Sequence, residues 1–320
     1  MKALKYMLSF FVLFSLFSCS EEEEALLKDD YLMKTYAPAI AGEPLEFAYA
    51  MAAMEGTIVS ASAEVNIPGA DGTGFDPNSY HTDARGTDVG VLVADVTTEG
   101  AKSTAVFTAD TVAATLRYAY IIPEEAKGET VSVTFTAESS TGETVTTTTE
   151  EYTVSKMTLK RDIVLTDGDV CYFSVEDMRG YTEAEVTANG LESKIDLIYI
   201  YDALSPDGYL YGHSLISPAS DEKYFNELVV PSGFRVNSTK IEKKVYLWDM
   251  QFSGEVPAVY VDDIDLETLD LTGAADFVLG LSTRSSAFIE TADGKYRAYM
   301  YINNARGGEM TFGMKRLEIE

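Results

Sequence analysis

The sequence predicts an all-β protein built as two tandem β-sandwiches, the first immunoglobulin-like and the second jelly-roll-like with short helices. Three observations predict it. Thr, Val and Tyr fill short segments that Gly, Asn, Asp and Pro interrupt at brief intervals. Within those segments apolar and polar residues alternate at period two. Val131, Val133 and Phe135 share one face, while Thr130, Ser132, Thr134 and Thr136 share the other. The chain has 320 residues and is 46% hydrophobic, enough for two domains with proper cores.

From the N-terminus, Lys2 and Lys5 precede an apolar run, Met7 to Phe17. That run is too short to span a bilayer, which takes about 20 residues, but it suits a signal peptide over residues 1–18. Leu16-Phe17-Ser18-Cys19 resembles the bacterial lipobox, although Phe17 is bulkier than usual at its position. The resemblance implies that Cys19 is lipidated and becomes the first mature residue. The alternative is an ordinary secretory peptide cut near Ser18.

Ser20, Glu21, Glu22, Glu23 and Glu24 follow directly. They resemble the acidic export tag of surface-exposed lipoproteins of Bacteroidota. Four like charges keep a tether extended and wet, so residues 19–30 are expected to form an acylated acidic tether. The expected location is the outer membrane, lipid-anchored and facing the cell exterior. The alternative is a plain solvated linker on the periplasmic side.

There are 52 acidic residues against 24 basic ones, a formal charge of −28. Loss of Lys2 and Lys5 with the leader would take it to about −30. Such a surface repels nucleic acid and anionic headgroups, which argues against a nucleic-acid partner. Once Cys19 is acylated, Cys171 is the one cysteine left, so neither an internal disulfide nor a cysteine metal site can form. Cys171 sits in an alternating strand pattern and is expected in the core.

The first sandwich is expected over residues 31–156, with about seven strands. Met54-Glu55-Gly56 separates two of them as a hairpin candidate. Residues 66–100 are dense in turn formers and are expected to form one long loop. Asp71, Thr73, Asp76 and Asn78 there carry oxygen donors suited to Ca²⁺, but their spacing is not that of an EF-hand loop. Apart from Ca²⁺, no cofactor is expected.

After a hinge at residues 155–161, the second sandwich is expected over 157–320. Thr182 and Glu185 form a capping box for a short helix that Gly190 ends. A second helix is expected from Ser220 or Asp221 towards Pro231. Residues 195–201 are apolar on both faces, as in a central strand. Tyr246, Trp248, Met250 and Phe252 alternate as if along one core-facing strand. Asp262, Asp263, Asp265, Glu267 and Asp270 read as a charged edge strand, or less readily as a Ca²⁺ site between strands.

Two stretches carry a family resemblance. Residues 114–145 are close to a last-strands pattern of Ig-like domains in Bacteroidota lipoproteins. Residues 180–202, GYTEAEVTANGLESKIDLIYIYD, resemble uncharacterised two-domain surface lipoproteins of gut Bacteroidota. The resemblance implies the two-sandwich layout and the membrane location, and it carries over no catalytic residue.

Enzymatic chemistry finds few parts. His81 and His213 are the two histidines, and phosphate-loop, dinucleotide and nucleophile-elbow motifs are missing. The expectation is a non-enzymatic surface protein that binds a glycan or serves a nutrient-capture assembly. The alternative is a structural or adhesive protein with a protein partner. Sugars stack on exposed rings, and 20 tyrosines are available. Arg297, Tyr299, Tyr301 and Asn303 share one strand face, and Tyr209 with Tyr211 shares another. These six are the candidate ligand-binding residues.

Overall fold

The computed structural model describes residues 25–254 and 259–319; Cys19 and Ser20 to Glu24 lie outside them. The first sandwich comprises β1 (Leu27–Met33), β2 (Pro44–Ala53), β3 (Ile58–Val65), β4 (Gly74–Thr82), β5 (Asp88–Leu92), β6 (Ala94–Glu99), β7 (Lys102–Thr111), β8 (Ala113–Ile121), β9 (Thr130–Val131), β10 (Val133–Ser139), β11 (Thr144–Thr148) and β12 (Tyr152–Thr153). One sheet runs β1-β2-β8-β4-β5 and the facing sheet β11-β10-β3-β7-β6; β9 and β12 pair separately. The period-two alternation is what packs them. Phe47, Tyr49 and Tyr118 point inward from one sheet and Val133 and Phe135 from the other. The Tyr49 and Phe135 rings stack at 4.7 Å across the interior. Each such buried ring stabilises the fold by about 1.5–3 kcal/mol.

Three expectations for this half change. β1 begins at Leu27, so residues 27–30 are paired with β2 rather than part of a free tether. Met54-Glu55-Gly56 is no hairpin, because β2 and β3 belong to opposite sheets. The segment crosses between layers, with Gly56 at φ +72°. Residues 66–100 hold three strands rather than one loop. The turn formers there are used locally: Asp83 accepts N–H bonds from Arg85 and Thr87 at 2.8 and 2.9 Å and closes the β4–β5 hairpin. Asp76, in the bulge of β4, accepts from the Asn78 backbone and side chain and from the Tyr80 hydroxyl.

The second sandwich contains β13 (Thr158–Thr166), β14 (Tyr172–Ser174), β15 (Arg179–Tyr181), β16 (Leu197–Ile200), β17 (Ala203–Leu204), β18 (Leu210–Tyr211), β19 (Ser214–Ile216), β20 (Lys240–Lys244), β21 (Phe277–Val278), β22 (Ser286–Glu290), β23 (Tyr296–Arg306) and β24 (Glu309–Glu318). Helices α1 (Glu183–Asn189), α2 (Met250–Ser253) and α3 (Asp263–Glu267) decorate it. The sheets run β13-β24-β23-β22-β20 and β15-β14-β16-β19-β21, with β17 and β18 as a small hairpin. Their core joins Phe173, Leu197 and Leu215 to Ala298, Met300 and Phe312.

Several local expectations hold here. The capping box of Thr182 and Glu185 starts α1, and Gly190 ends it in the left-handed region. β16 is fully buried at the centre of its sheet. Cys171 is buried, and burial pushes its thiol up to about 12. The second expected helix is one 3-10 turn over Glu222–Phe225, capped by Asp221.

The stretch from residue 245 to 270 departs most from expectation. The strand stops at Lys244, and Tyr246 takes φ +63°, which breaks the alternation. Tyr246 is therefore 81% exposed and not in a core. Asp262 caps α3 with Asp265 in a second capping box, so the acidic run is a helical turn and not an edge strand.

A third apolar cluster lies on the outer face of β22-β23-β24. Two described stretches, 247–254 and 259–271, cover that face with Val261, Leu266 and Leu271, and Ile40 and Met157 join from the first sandwich and the connection. The domains are also tied by polar bonds. Arg161 forks onto Glu43 and donates to the Gln251 carbonyl, and the Ser155 hydroxyl donates to Asp263 at 2.9 Å.

Candidate functional site

The covering segment decides the fate of the first four candidate residues. Tyr299 and Tyr301 are buried in the third cluster and present no ring to solvent. The Tyr299 hydroxyl donates to the Leu247 carbonyl at 2.7 Å and accepts from the Asp249 N–H at 3.2 Å. Arg297 is bound to Glu290 at 2.7 Å and to the carbonyls of Leu266 and Glu267. Asn303 is exposed, with its amide 3.5 Å from the Phe252 carbonyl. Tyr299 and Arg297 fasten the cover, and with both tyrosines buried this face offers a ligand no ring to stack on. The physical reason is that a chemically mixed strand face is as well suited to holding another segment as to holding a ligand.

Tyr209 and Tyr211 do reach solvent, at 69% and 43% exposure, beside exposed Leu210 on the β17–β18 hairpin. The Tyr201 ring stands edge-on to His213 at 5.0 Å next to them. His213 itself is committed, bonded through Nδ1 to the Tyr199 hydroxyl at 2.6 Å, and burial lowers its pKa.

Tyr211 leads to a second aromatic group through Gly280, just after β21. Gly280 has φ +63°, and a Cβ there would sit 3.1 Å from the Tyr211 ring. Its carbonyl accepts from the Lys243 ammonium at 2.7 Å. Lys243 lies on β20, the outer strand of one sheet, and Gly280 follows β21, the outer strand of the other. The site thus straddles the open side of the sandwich.

Beyond Lys243 is a cavity of about 360 Å³ lined by Lys244, Tyr246, Trp248 and Arg284 among others. The Tyr246 and Trp248 rings meet edge to face at 6.0 Å. The Arg284 guanidinium is 5.9 Å from the Trp248 ring, and the indole N–H donates to the Arg284 carbonyl at 3.2 Å. Tyr246 and Arg284 both hold positive φ, +63° and +70°. Non-glycine residues so placed cost about 1–3 kcal/mol each and gather where function holds them.

The segment that carries Trp248 is anchored from below. Asp249 and Lys315 are both fully buried and bond at 2.5 Å. Lys315 also donates to the Val261 carbonyl at 2.8 Å, while Asp249 accepts N–H bonds from Val261 at 3.0 Å and Gln251 at 2.8 Å. Burial lowers the Lys315 pKa, and the Asp249 charge opposes that shift. The alternation in 245–252 gave no sign of this arrangement; the Asp249-to-Lys315 pairing joins residues 66 positions apart.

A larger trough of about 520 Å³ lies on the outer face of the first sandwich, floored by Ala50, Ala52 and Ala113. Its single ring, Tyr80, is covered by the Arg117 guanidinium at 3.8 Å and its hydroxyl is taken by Asp76 at 2.6 Å. It offers little to stack on. Among the described residues no group of three His, Cys, Asp or Glu side chains converges as a metal site.

Fold and site together define a two-sandwich β protein with an aromatic surface on its second domain. The chain belongs to the DUF4466 family. A DUF4466 domain of unknown function matches residues 24–154, and a DUF8576 domain of unknown function matches 155–319. The chain is similar to a DUF4466 family protein of known crystal structure from Parabacteroides merdae. Identity is 39%, coverage 92% of this chain and 99% of that one, and the TM-score 0.85. Fainter likenesses are to BcpA, the major pilin subunit of Bacillus cereus, and to the SrpA adhesin of Streptococcus sanguinis. Both are 12% identical. BcpA covers 62% of this chain and 54% of its own at a TM-score of 0.28, and SrpA covers 67% and 95% at 0.23. Scores that low carry no argument. No curated protein matches the chain.

Proposed function

We propose that this protein is a non-enzymatic, lipid-anchored protein of the outer membrane surface that binds glycan through the aromatic surface of its second domain. The observation that carries the reading is the continuity from Tyr211 through Gly280 and Lys243 to Tyr246 and Trp248. Tyr209, Tyr211 and Tyr246 are exposed along this line, and Trp248 is half-buried, with part of its ring packed on the third cluster. A pyranose lays its C–H face on such rings while nearby amide, hydroxyl and ammonium groups fix its hydroxyls. The first sandwich acts as a spacer from the membrane, and the bonds between domains hold the second at a fixed attitude. Cys19 and Ser20 to Glu24 supply the anchor and the export signal in this reading. It needs no metal or cofactor.

A glycan array probed with the purified protein tests the binding. Trp248→Ala should abolish the bound spots, and spots that persist unchanged would refute the site. Palmitate labelling of the wild type and of Cys19→Ala tests the anchor; equal labelling of both would refute it.

A second reading, a protein partner, draws on Leu210 and Val245, both more than half exposed beside the same rings. Array silence together with capture of a defined surface protein would favour it.

A further inference from the structure

We propose that β5 is a docking edge for a second copy of this chain, the two β5 strands pairing antiparallel about a two-fold axis at Gly90. The inference concerns the first sandwich and does not depend on what the second one binds. β5 is the outermost strand of its sheet, and all five of its residues are exposed, the apolar Val89, Val91 and Leu92 among them. The ladder to β4 fixes which backbone groups are left over. The Asp83 N–H donates to the Thr87 carbonyl at 2.9 Å and the Val93 N–H to the Pro77 carbonyl at 3.1 Å, so Thr87 and Val93 turn towards β4. The register between them is unbroken, so Val89 and Val91 do the same, and Asp88, Gly90 and Leu92 aim their N–H and C=O groups outward.

Such edges invite pairing, and proteins blunt them with charges, bulges or short length. The other long-sheet edges among the described residues are so treated. β1 opens on Lys28, Asp29 and Asp30, and Asp29 bonds Thr147 of β11, the neighbouring edge of the facing sheet. β6 carries Asp95 and Glu99, β20 carries Lys240 and Glu242, and β13 has a register break at 160–163. β15 and β21 are three and two residues long. β5 has none of these devices. Its one charge, Asp88, is held by Arg117, whose guanidinium lies 3.8 Å over the Tyr80 ring. That ring packs against Gly90, where a Cβ would sit 3.2 Å from it. The stack holds the strand flat, and a strand already ordered loses less freedom on pairing. The sequence of the edge identifies the partner. Val89-Gly90-Val91 reads the same from either end, so a two-fold sets Val89 beside Val91 of the second copy and Gly90 beside itself. The two Asp88 carboxylates then stand about 14 Å apart, beyond the screening length of about 8 Å in physiological salt.

The test is sedimentation equilibrium of the purified protein, joined to cross-linking that reads the register. We expect a reversible dimer that grows with concentration, weak because a five-residue strand pair buries less than about 1,200 Å². Leu92→Pro removes an N–H that β4 does not use, and Val91→Lys charges the edge. Each change enters the dimer twice, so each should weaken it at least about tenfold. Residues 89 and 91 of opposed copies form a non-hydrogen-bonded pair about 4.5 Å apart at Cα, within disulfide reach. Val89→Cys mixed with Val91→Cys should therefore yield a disulfide-joined heterodimer on air oxidation. Either variant alone sets its two new cysteines about 8 Å apart at Cα, too far to bridge, and should stay uncoupled. A protein that is monomeric at every concentration, a dimer indifferent to both Leu92→Pro and Val91→Lys, or equal cross-linking in the mixture and in the single variants would overturn the pairing.

Discussion

Lys315→Met removes the cation that anchors the segment bearing Trp248. In the folded protein the ammonium is fully buried and donates to Asp249 at 2.5 Å and to the Val261 carbonyl at 2.8 Å. The substitution fills similar volume, so cavity formation contributes little. What remains is a buried Asp249 carboxylate with two backbone N–H donors and no counter-charge, and a carbonyl that has lost a donor. Removing one partner of a buried pair costs about 3–5 kcal/mol. For a domain of this size that is a fall of about 6–20 °C in Tm.

Urea and thermal unfolding, followed by the fluorescence of the single tryptophan, read the loss directly. The double variant Asp249→Asn with Lys315→Met should recover part of it, because the stranded charge is gone. A loss below about 1 kcal/mol for Lys315→Met, or no recovery in the double variant, would refute the idea that a buried charge pair holds the cover in place.

Two further outcomes follow from other parts of the molecule. Asp196 is buried, and desolvation raises its pKa from 3.8 to about 7. A carboxyl with a raised folded pKa weakens the fold once ionised, so stability falls as pH rises from about 4 to about 7, by up to about 4 kcal/mol. Asp196→Asn, which can still accept from the Val175 N–H, should be more stable than wild type at pH 8 and equal to it at pH 4 in urea titrations; an advantage that does not depend on pH would be wrong for this cause. Gly280→Ala strains φ +63° and presses on Tyr211, so it should cost at least about 1 kcal/mol and weaken ligand binding, measured by unfolding and calorimetry; an unchanged protein would mean that Gly280 does not link the two aromatic groups.

The strands and caps of this fold are legible because they depend on neighbours in sequence. Val131, Val133 and Phe135 announce a half-buried strand, and Thr182 with Glu185 announces a helix start. What fails is whatever depends on a distant segment. Tyr299 and Tyr301 look like an open face until Val261, Leu266 and Leu271 fold over them. Tyr246 follows the alternation of a core strand, yet its positive φ turns it out to solvent. The turn formers of 66–100 read as one loop because a bulge at Asp76 and a tight turn at Asp83 use the same residue types. Of the site, Tyr209 and Tyr211 were visible as aromatic residues near a turn. Trp248, Lys243 and Arg284 come together only through the meeting of β20 and the segment after β21.

The measurement that bears most directly on glycan binding is a fluorescence titration, since Trp248 is the only tryptophan in the chain and lines the cavity. A saccharide that binds there should produce a saturable change in emission, abolished by free competitor and reduced in Tyr246→Ala. A saccharide shown by calorimetry to bind while the Trp248 emission stays constant would contradict the account.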